Sequence, residues 1–293
     1  MGQANILYIF ADQLNYGALG CNGNRVVRTP NADRLAREGV VFDRAFSSCP
    51  ICSPYRAQIL TGRYAHANGV IDNEYALYED QMTIAHVLKG RGYRTAYVGK
   101  WHLGHPPYTG PKRYGFDDLY AYNCTHRYYD VSYWHNEDGP FPMVDFAPQV
   151  ETQLALDYIQ AHRRDHPALP FCLFLSWGPP HWSTTGGARD YGEYPRCYDV
   201  YDPAQLDLPG NVPRQFEAFE RREIADYYAT VTALDDCLGR LLDALDEWGA
   251  GRRHDRLLYF RSRRSPRRAR LRQARCGGFV DGPHSTTLQR HAL

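Results

Sequence analysis

The segment Cys52-Ser53-Pro54-Tyr55-Arg56 places a thiol, a helix-opening proline and a fixed cation within five residues. Proline suits the first turn of a helix, where its missing N–H has no intrahelical partner to lose. A cysteine just ahead of such a helix lies where the dipole favours anionic species. Arg56, one turn on, adds a positive charge that no ordinary pH removes. These residue types in this order suit the handling of an anionic ester such as a sulfate or phosphate. The same cysteine closes Cys49-Pro50-Ile51-Cys52, so a redox pair or half a zinc site is a second reading. No second metal-binding pair follows, and that reading leaves Pro54 and Arg56 unexplained.

Three further clusters carry polar groups of catalytic type. Asp12-Gln13 follows an apolar run at 6–10, Gly99-Lys100-Trp101-His102-Leu103-Gly104 follows one at 95–98, and Pro179-Pro180-His181 follows one at 171–177. Each run reads as a buried strand that delivers its polar residues at the carboxyl end. Taken singly, each cluster has a plainer reading: a polar strand end, surface side chains, a loop histidine.

The positioning elements follow from spacing. Thr29-Pro30 supplies an N-cap and a first-turn proline, and Gly39 a stop, which predicts a short helix between them. Residues 40–46 read as a second strand, 53–62 and 82–91 as helices, and 257–260 as a final strand. Ile224, Tyr227, Val231, Leu234, Leu238, Leu241 and Leu245 predict one long helix over 223–248. Strands alternating with helices predict a mainly parallel sheet covered on both faces, with sites gathered at the strands' carboxyl ends. The Tyr- and Pro-rich stretches 108–148 and 182–213 predict long loops that shape a pocket. Their rings (Tyr128, Tyr129, Tyr133, Trp134, Trp182) suit stacking on sugars and ordinary packing equally.

Cys-x-Pro-x-Arg followed by Leu60-Thr61-Gly62-Arg63 resembles the signature of the type I, formylglycine-dependent sulfatases. The other three clusters occur in that family's order, so the resemblance covers residues 5–260. It implies an α/β fold, the alkaline-phosphatase-like α/β/α sandwich with a mainly parallel sheet, here truncated. It implies hydrolysis of a sulfate monoester, on a small molecule or a carbohydrate, to an alcohol and inorganic sulfate. Cys52 would be oxidised to formylglycine by a formylglycine-generating enzyme and, as the hydrate, attack sulfur; its second hydroxyl would then expel sulfate. Arg56 and His102 would hold that hydrate, and Lys100 and His181 would bind the sulfate. Asp12, Gln13 and modified Cys52 would ligate a divalent metal, Ca²⁺, through oxygen. Many relatives carry a second Asp where Gln13 stands. A phosphonate monoester hydrolase or phosphodiesterase of the same superfamily is the rival activity.

The resemblance stops after the expected strand at 257–260. The family pattern requires an Asp-His pair and a further Lys there, but residues 261–270 are Arg-, Ser- and Pro-rich. From 251 onward twelve Arg face two Asp, a balance of +10, while the preceding residues hold 22 basic and 31 acidic groups. The codons for this tail can be chosen so that the neighbouring frame spells the missing Asp, His and Lys. Residues 1–260 are therefore expected to be the amino-terminal catalytic part, and 261–293 an out-of-frame, disordered tail that leaves activity impaired. The alternative is an inactive remnant. An acidic body argues against a nucleic-acid partner. No apolar stretch approaches the roughly 20 residues of a membrane span, and no secretory signal is visible, so a cytoplasmic location is expected. The eight cysteines are scattered, as suits reduced thiols. Asn123-Cys124-Thr125 fits a glycosylation pattern and is read as chance.

Overall fold

The computed structural model describes residues 3–182, 194–208, 210 and 212–248, and the backbone of 254–258. Seven strands form one sheet: β1 (Asn5–Ala11), β2 (Arg94–Lys100), β3 (Asp118–Tyr122), β4 (Val131–His135), β5 (Asp138–Met143), β6 (Phe171–Trp177) and β7 (His254–Leu258). Their order across the sheet is β5-β4-β3-β2-β6-β1-β7. The pairs β2–β3, β2–β6, β1–β6 and β1–β7 are parallel. The edge pairs β3–β4 and β4–β5 are antiparallel. The helices are α1 (Pro30–Glu38), α2 (Cys52–Thr61), α3 (Ala65–Asn68), α4 (Ile84–Lys89), α5 (Ala147–Asp165) and α6 (Glu217–Glu247).

Alternation along the central strands builds two cores. Leu7, Ile9 and Ala11 of β1, Ala96 and Val98 of β2, and Leu173, Leu175 and Trp177 of β6 pack with α1, α5 and α6. Phe10, Tyr97, Cys172 and Phe174 point the other way and pack with Tyr55, Ala57 and Leu60 of α2 and Ala85 of α4. Burial of each large side chain contributes about 1.5–3 kcal/mol, so a one-residue slip that exchanged the faces is strongly disfavoured. Because β2, β6 and β1 are parallel neighbours, Lys100, Trp177 and Ala11 end on one edge of the sheet. That edge carries the site.

Several expectations change. Residues 40–46 form no strand: Val40, Phe42 and Phe46 are 79%, 69% and 67% exposed. Both sides of β1 are taken by β6 and β7, so the run cannot pair with the strand that precedes it in the chain. The stretch 108–148 is not loop alone, since β3, β4 and β5 lie in it. Helix α5 was missed, although Val150, Leu154, Tyr158 and Ile159 recur at helical spacing behind Pro148. Helix α6 begins at Glu217, six residues before the expected 223. Thr29 does not cap α1: its Oγ1 accepts from Gly20 N at 2.8 Å instead. The open N–H groups of Asn31 and Ala32 donate to the Asp235 carboxylate of α6 at 2.9 and 2.8 Å. The final strand runs His254–Leu258; Tyr259, Phe260 and the tail 261–293 lie outside the described residues.

Candidate active site

Asp12 leaves β1 and is completely buried, with its backbone N–H held by the Trp177 carbonyl at 3.1 Å. Its carboxylate is shared by two buried cations, Lys100 Nζ at 2.7 Å from Oδ2 and Arg56 Nη2 at 3.1 Å from Oδ1. Burial pulls the Lys100 ammonium down, but the Asp12 charge, with smaller contributions from Cys52 and Cys124, leaves it above its ordinary value. Burial opposes the Arg56 charge too, and Asp12 again holds the guanidinium above its ordinary value. Two cations against one carboxylate give a surplus positive charge in a region of low dielectric.

Arg56 ties α2 to the sheet. Its Nη1 donates to the Lys100 carbonyl at 2.5 Å, the Ser176 hydroxyl at 2.6 Å and the Tyr97 hydroxyl at 2.8 Å. The Tyr97 hydroxyl itself donates to the Lys100 carbonyl at 2.6 Å, and the guanidinium lies 5.1 Å over the Phe10 ring. These contacts make Arg56 a clamp on β2 and β6 as well as a source of charge.

Cys52 is the first residue of α2 and 8% exposed. The helix dipole is present there, yet few of its N–H groups are free. Ser53 N–H donates to Asn73 Oδ1 at 2.9 Å, Pro54 has none, and Tyr55 N–H is bonded to the Ile51 carbonyl. An anion above Cys52 therefore relies on side chains rather than on the helix end alone. Cys49 and Cys52 are both free thiols, and among the described residues no group of three or more His, Cys, Asp or Glu could hold a metal.

His102 sits in the left-handed region at φ 54, two residues beyond β2. Its N–H donates to the Asn123 carbonyl at 2.7 Å, and its own carbonyl accepts from Ser53 Oγ at 2.7 Å. A non-glycine residue held there costs on the order of 1–3 kcal/mol, so the surrounding contacts over-determine its place. His181, after β6, is 6% exposed. Its Nδ1 lies 2.9 Å from the Trp182 carbonyl, and its own carbonyl accepts from the Tyr128 hydroxyl at 2.5 Å. A carbonyl only accepts, so Nδ1 carries the proton. Burial, and next the charge of Lys100, push the His181 ring down to about 3. The ring is then neutral at physiological pH, and Nε2 is an acceptor rather than a donor to a sulfate oxygen.

Gln13 also has positive φ, 59, and its carbonyl accepts from Tyr227 at 2.9 Å. For Ca²⁺, the hard oxygens of Asp12 and Gln13 are the right chemistry. Both Asp12 oxygens, however, lie against cations, and among the described residues no group of three or more His, Cys, Asp or Glu could hold a metal. The described donor set does not by itself fit a calcium site.

Four residues near the site went unnoticed in the sequence. Ser176 and Tyr97 hold Arg56. Cys124 and His126 follow β3: the Cys124 thiol is 4.0 Å from His126 Nε2, and the His126 ring stacks on His181 with centroids 4.2 Å apart and planes 5° from parallel. Burial pushes the Cys124 thiol up, but a hydrogen bond to His102 and the Lys100 charge bring it below its ordinary value. The Asn123 side chain of the glycosylation pattern is engaged internally, accepting from Gly104 N at 3.3 Å. Behind the site, Glu151 of α5 is fully buried. Burial raises its carboxyl to about 8, with the Tyr122 hydroxyl and Arg56 acting against that rise.

Comparison with known proteins identifies the family. The family model described as Sulfatase matches residues 4–260. The ulvan-active sulfatase of Formosa agariphila is 38% identical over 255 residues, which is 84% of this chain and 47% of that protein. The N-acetylglucosamine-6-O-sulfatase of Bacteroides thetaiotaomicron is 31% identical over 74% of this chain and 36% of that protein. Among solved structures, the sulfatase yidJ of Bacteroides fragilis superposes with a TM-score of 0.75 at 28% identity, covering 88% of this chain and 61% of that one. A phosphonate monoester hydrolase from Silicibacter pomeroyi shares the fold, with a TM-score of 0.65 at 20% identity. The chain spans about half the length of the first of these curated relatives, or less. With the family model matched across the whole sheet and all four motif clusters inside it, the chain belongs to the sulfatase family.

Proposed function

We propose that residues 1–260 are the amino-terminal catalytic part of a sulfatase that cleaves sulfate monoesters of carbohydrates. The observation that carries this is the placement of Cys52, on the first turn of α2, beside the buried Asp12–Lys100–Arg56 group. Formylglycine made from Cys52 would supply an electrophilic carbonyl whose hydrate is the nucleophile. The chain's own residues do the rest. Lys100 provides fixed positive charge for the sulfate and for charge developing on it. Arg56 holds the helix bearing residue 52 against β2 and β6. His102 is fixed by the α2–β3 contacts next to that helix, and neutral His181 offers Nε2 as an acceptor. The carbohydrate assignment rests on the relatives, which include an ulvan-active sulfatase and an N-acetylglucosamine-6-O-sulfatase. The described residues do not fit Ca²⁺ alone.

The family match ends at residue 260, where the +10 tail begins its Arg-rich run. We read 261–293 as out-of-frame sequence, which makes the chain as written an impaired enzyme. Resequencing the gene across the codons for 257–278 decides this: an unbroken frame refutes it. Activity is tested by co-expression with a formylglycine-generating enzyme, followed by mass spectrometry of the peptide carrying residue 52. Turnover of an aryl sulfate, sulfated monosaccharides and an aryl phosphonate is then compared in the chain with its frame restored. Faster phosphonate than sulfate turnover would overturn the assignment.

A further inference from the structure

Two histidines of the proposed site, His102 and His181, follow different strands, and one short segment meets both, through the Asn123 carbonyl on His102 N–H and the His126 ring on His181. After β3 the chain runs Asn123-Cys124-Thr125-His126. The Cys124 thiol lies 4.0 Å from His126 Nε2, and the nearby His102 ring helps lower its titration. His126 stacks on His181 almost face to face, at 4.2 Å and 5°. Trp182 leans on both rings, 5.8 Å from His126 and 5.0 Å from His181. Contacts therefore run from Cys124 through His126 to His181.

We propose that His126 is a positioning residue: its ring sets the plane of the His181 imidazole so that Nδ1 stays on the Trp182 carbonyl and Nε2 stays an acceptor. The two constraints divide the task. The Trp182 carbonyl selects which edge of the ring it binds, but a ring free to rotate about its Cβ–Cγ bond would swing off that carbonyl. A parallel neighbour at van der Waals distance removes that rotation. Tyr128 fixes the backbone on the same side through its 2.5 Å hydrogen bond to the His181 carbonyl. Cys124 holds His126 at the edge away from the stack. Stacking of this kind is worth enough to bias a ring but not to fold a domain, which is the signature of positioning. The functional weight of the proposal rests on the sulfatase reading above; the positioning itself does not.

The test uses the full chain with ¹⁵N-labelled histidine and reads the ring nitrogens of His181, assigned with His181→Gln. The wild type is expected to show a single Nδ1–H tautomer. His126→Phe keeps a ring face and is expected to preserve that signature. His126→Leu fills the space without a π-face and is expected to give mixed tautomers. His126→Gln is the second ringless variant, should His126→Leu fail to fold. An unchanged His181 tautomer in a ringless variant overturns the proposal, and so does His126→Phe behaving like His126→Leu. Should the turnover comparison overturn the sulfatase reading, the His181 tautomer in the free chain still decides the positioning.

Discussion

Lys100 Nζ lies 2.7 Å from Asp12 Oδ2, and neither residue is exposed to solvent. The ammonium at the end of β2 and the carboxylate just past β1 thus face each other beyond β6, the strand that separates theirs in the sheet. Removing Asp12 leaves two buried cations without the anion they share. Asp12→Asn is expected to lower unfolding free energy by about 3–5 kcal/mol, read from urea melts. The double variant Asp12→Asn, Lys100→Met is expected to cost less than the two single variants added together. Strict additivity would show that the pair is not coupled.

The pH dependence of stability has two opposed sources. Glu151 is raised from 4.5 to about 8, so its contribution is full below pH 4.5 and is lost as pH rises through about 8. His126 is lowered from 6.5 to about 4 and His181 to about 3, by burial first and Lys100 second. Their contribution is present above pH 6.5 and is lost as pH falls through those values. Stability is expected to peak near pH 6.5. Glu151→Gln is expected to remove the alkaline fall, on the order of 1–2 kcal/mol between pH 6.5 and 8. An alkaline limb unchanged in that variant contradicts the assignment.

Gly99, the penultimate residue of β2, has φ 101, and a Cβ there would stand 2.2 Å from the Ser176 carbonyl oxygen. Backbone cannot yield as a side-chain tip can. Gly99→Ala is expected to cost about 3 kcal/mol or more and to lower Tm. Gly92 has positive φ but nothing within 4 Å. Gly92→Ala is expected to cost about 1–2 kcal/mol, the strain of the left-handed conformation alone.

Calcium gives a further check. With both Asp12 oxygens against Arg56 and Lys100, the chain as written is expected to bind Ca²⁺ no more tightly than about 10⁻³ M, weaker than a dedicated protein site. Micromolar affinity by calorimetry would mean that residues outside the described set complete a coordination shell.

The parts of the site that the sequence disclosed were those tied to strand ends. Asp12, Lys100 and His181 each follow an apolar run, and parallel strands deliver such residues to one edge. Cys52 and Arg56 were legible because proline marks the helix start between them. Cys124 and His126 were not, since their loop has no periodicity and their partners lie far along the chain. The role of Arg56 was only half visible: its charge was evident, but its grip on Ser176 and Tyr97 depends on how β2 and β6 pair. Residues 40–46 misled for a related reason: strand propensity says nothing of which strand a segment would pair with, and both sides of β1 are taken. Glu151 illustrates the remaining gap, as a glutamate in an amphipathic segment gives no hint that it faces inward.

Strand β1 is flanked by β6 and β7, with Ile6 opposite Cys172 and Asn5 opposite His254. On the ribosome this strand emerges before the other six, yet both of its neighbours are made late. At about 5–20 residues per second, the ladder with β6 has to wait on the order of ten seconds or longer after β1 is synthesised. Throughout that interval Ile6-Leu7-Tyr8-Ile9-Phe10, an uncharged run with high strand propensity, has no native partner. Soluble yield is thus set as much by what shields this nascent segment as by the finished molecule's stability. Slower translation before residue 171 should send more chains into aggregates, and co-expressed chaperones should recover them.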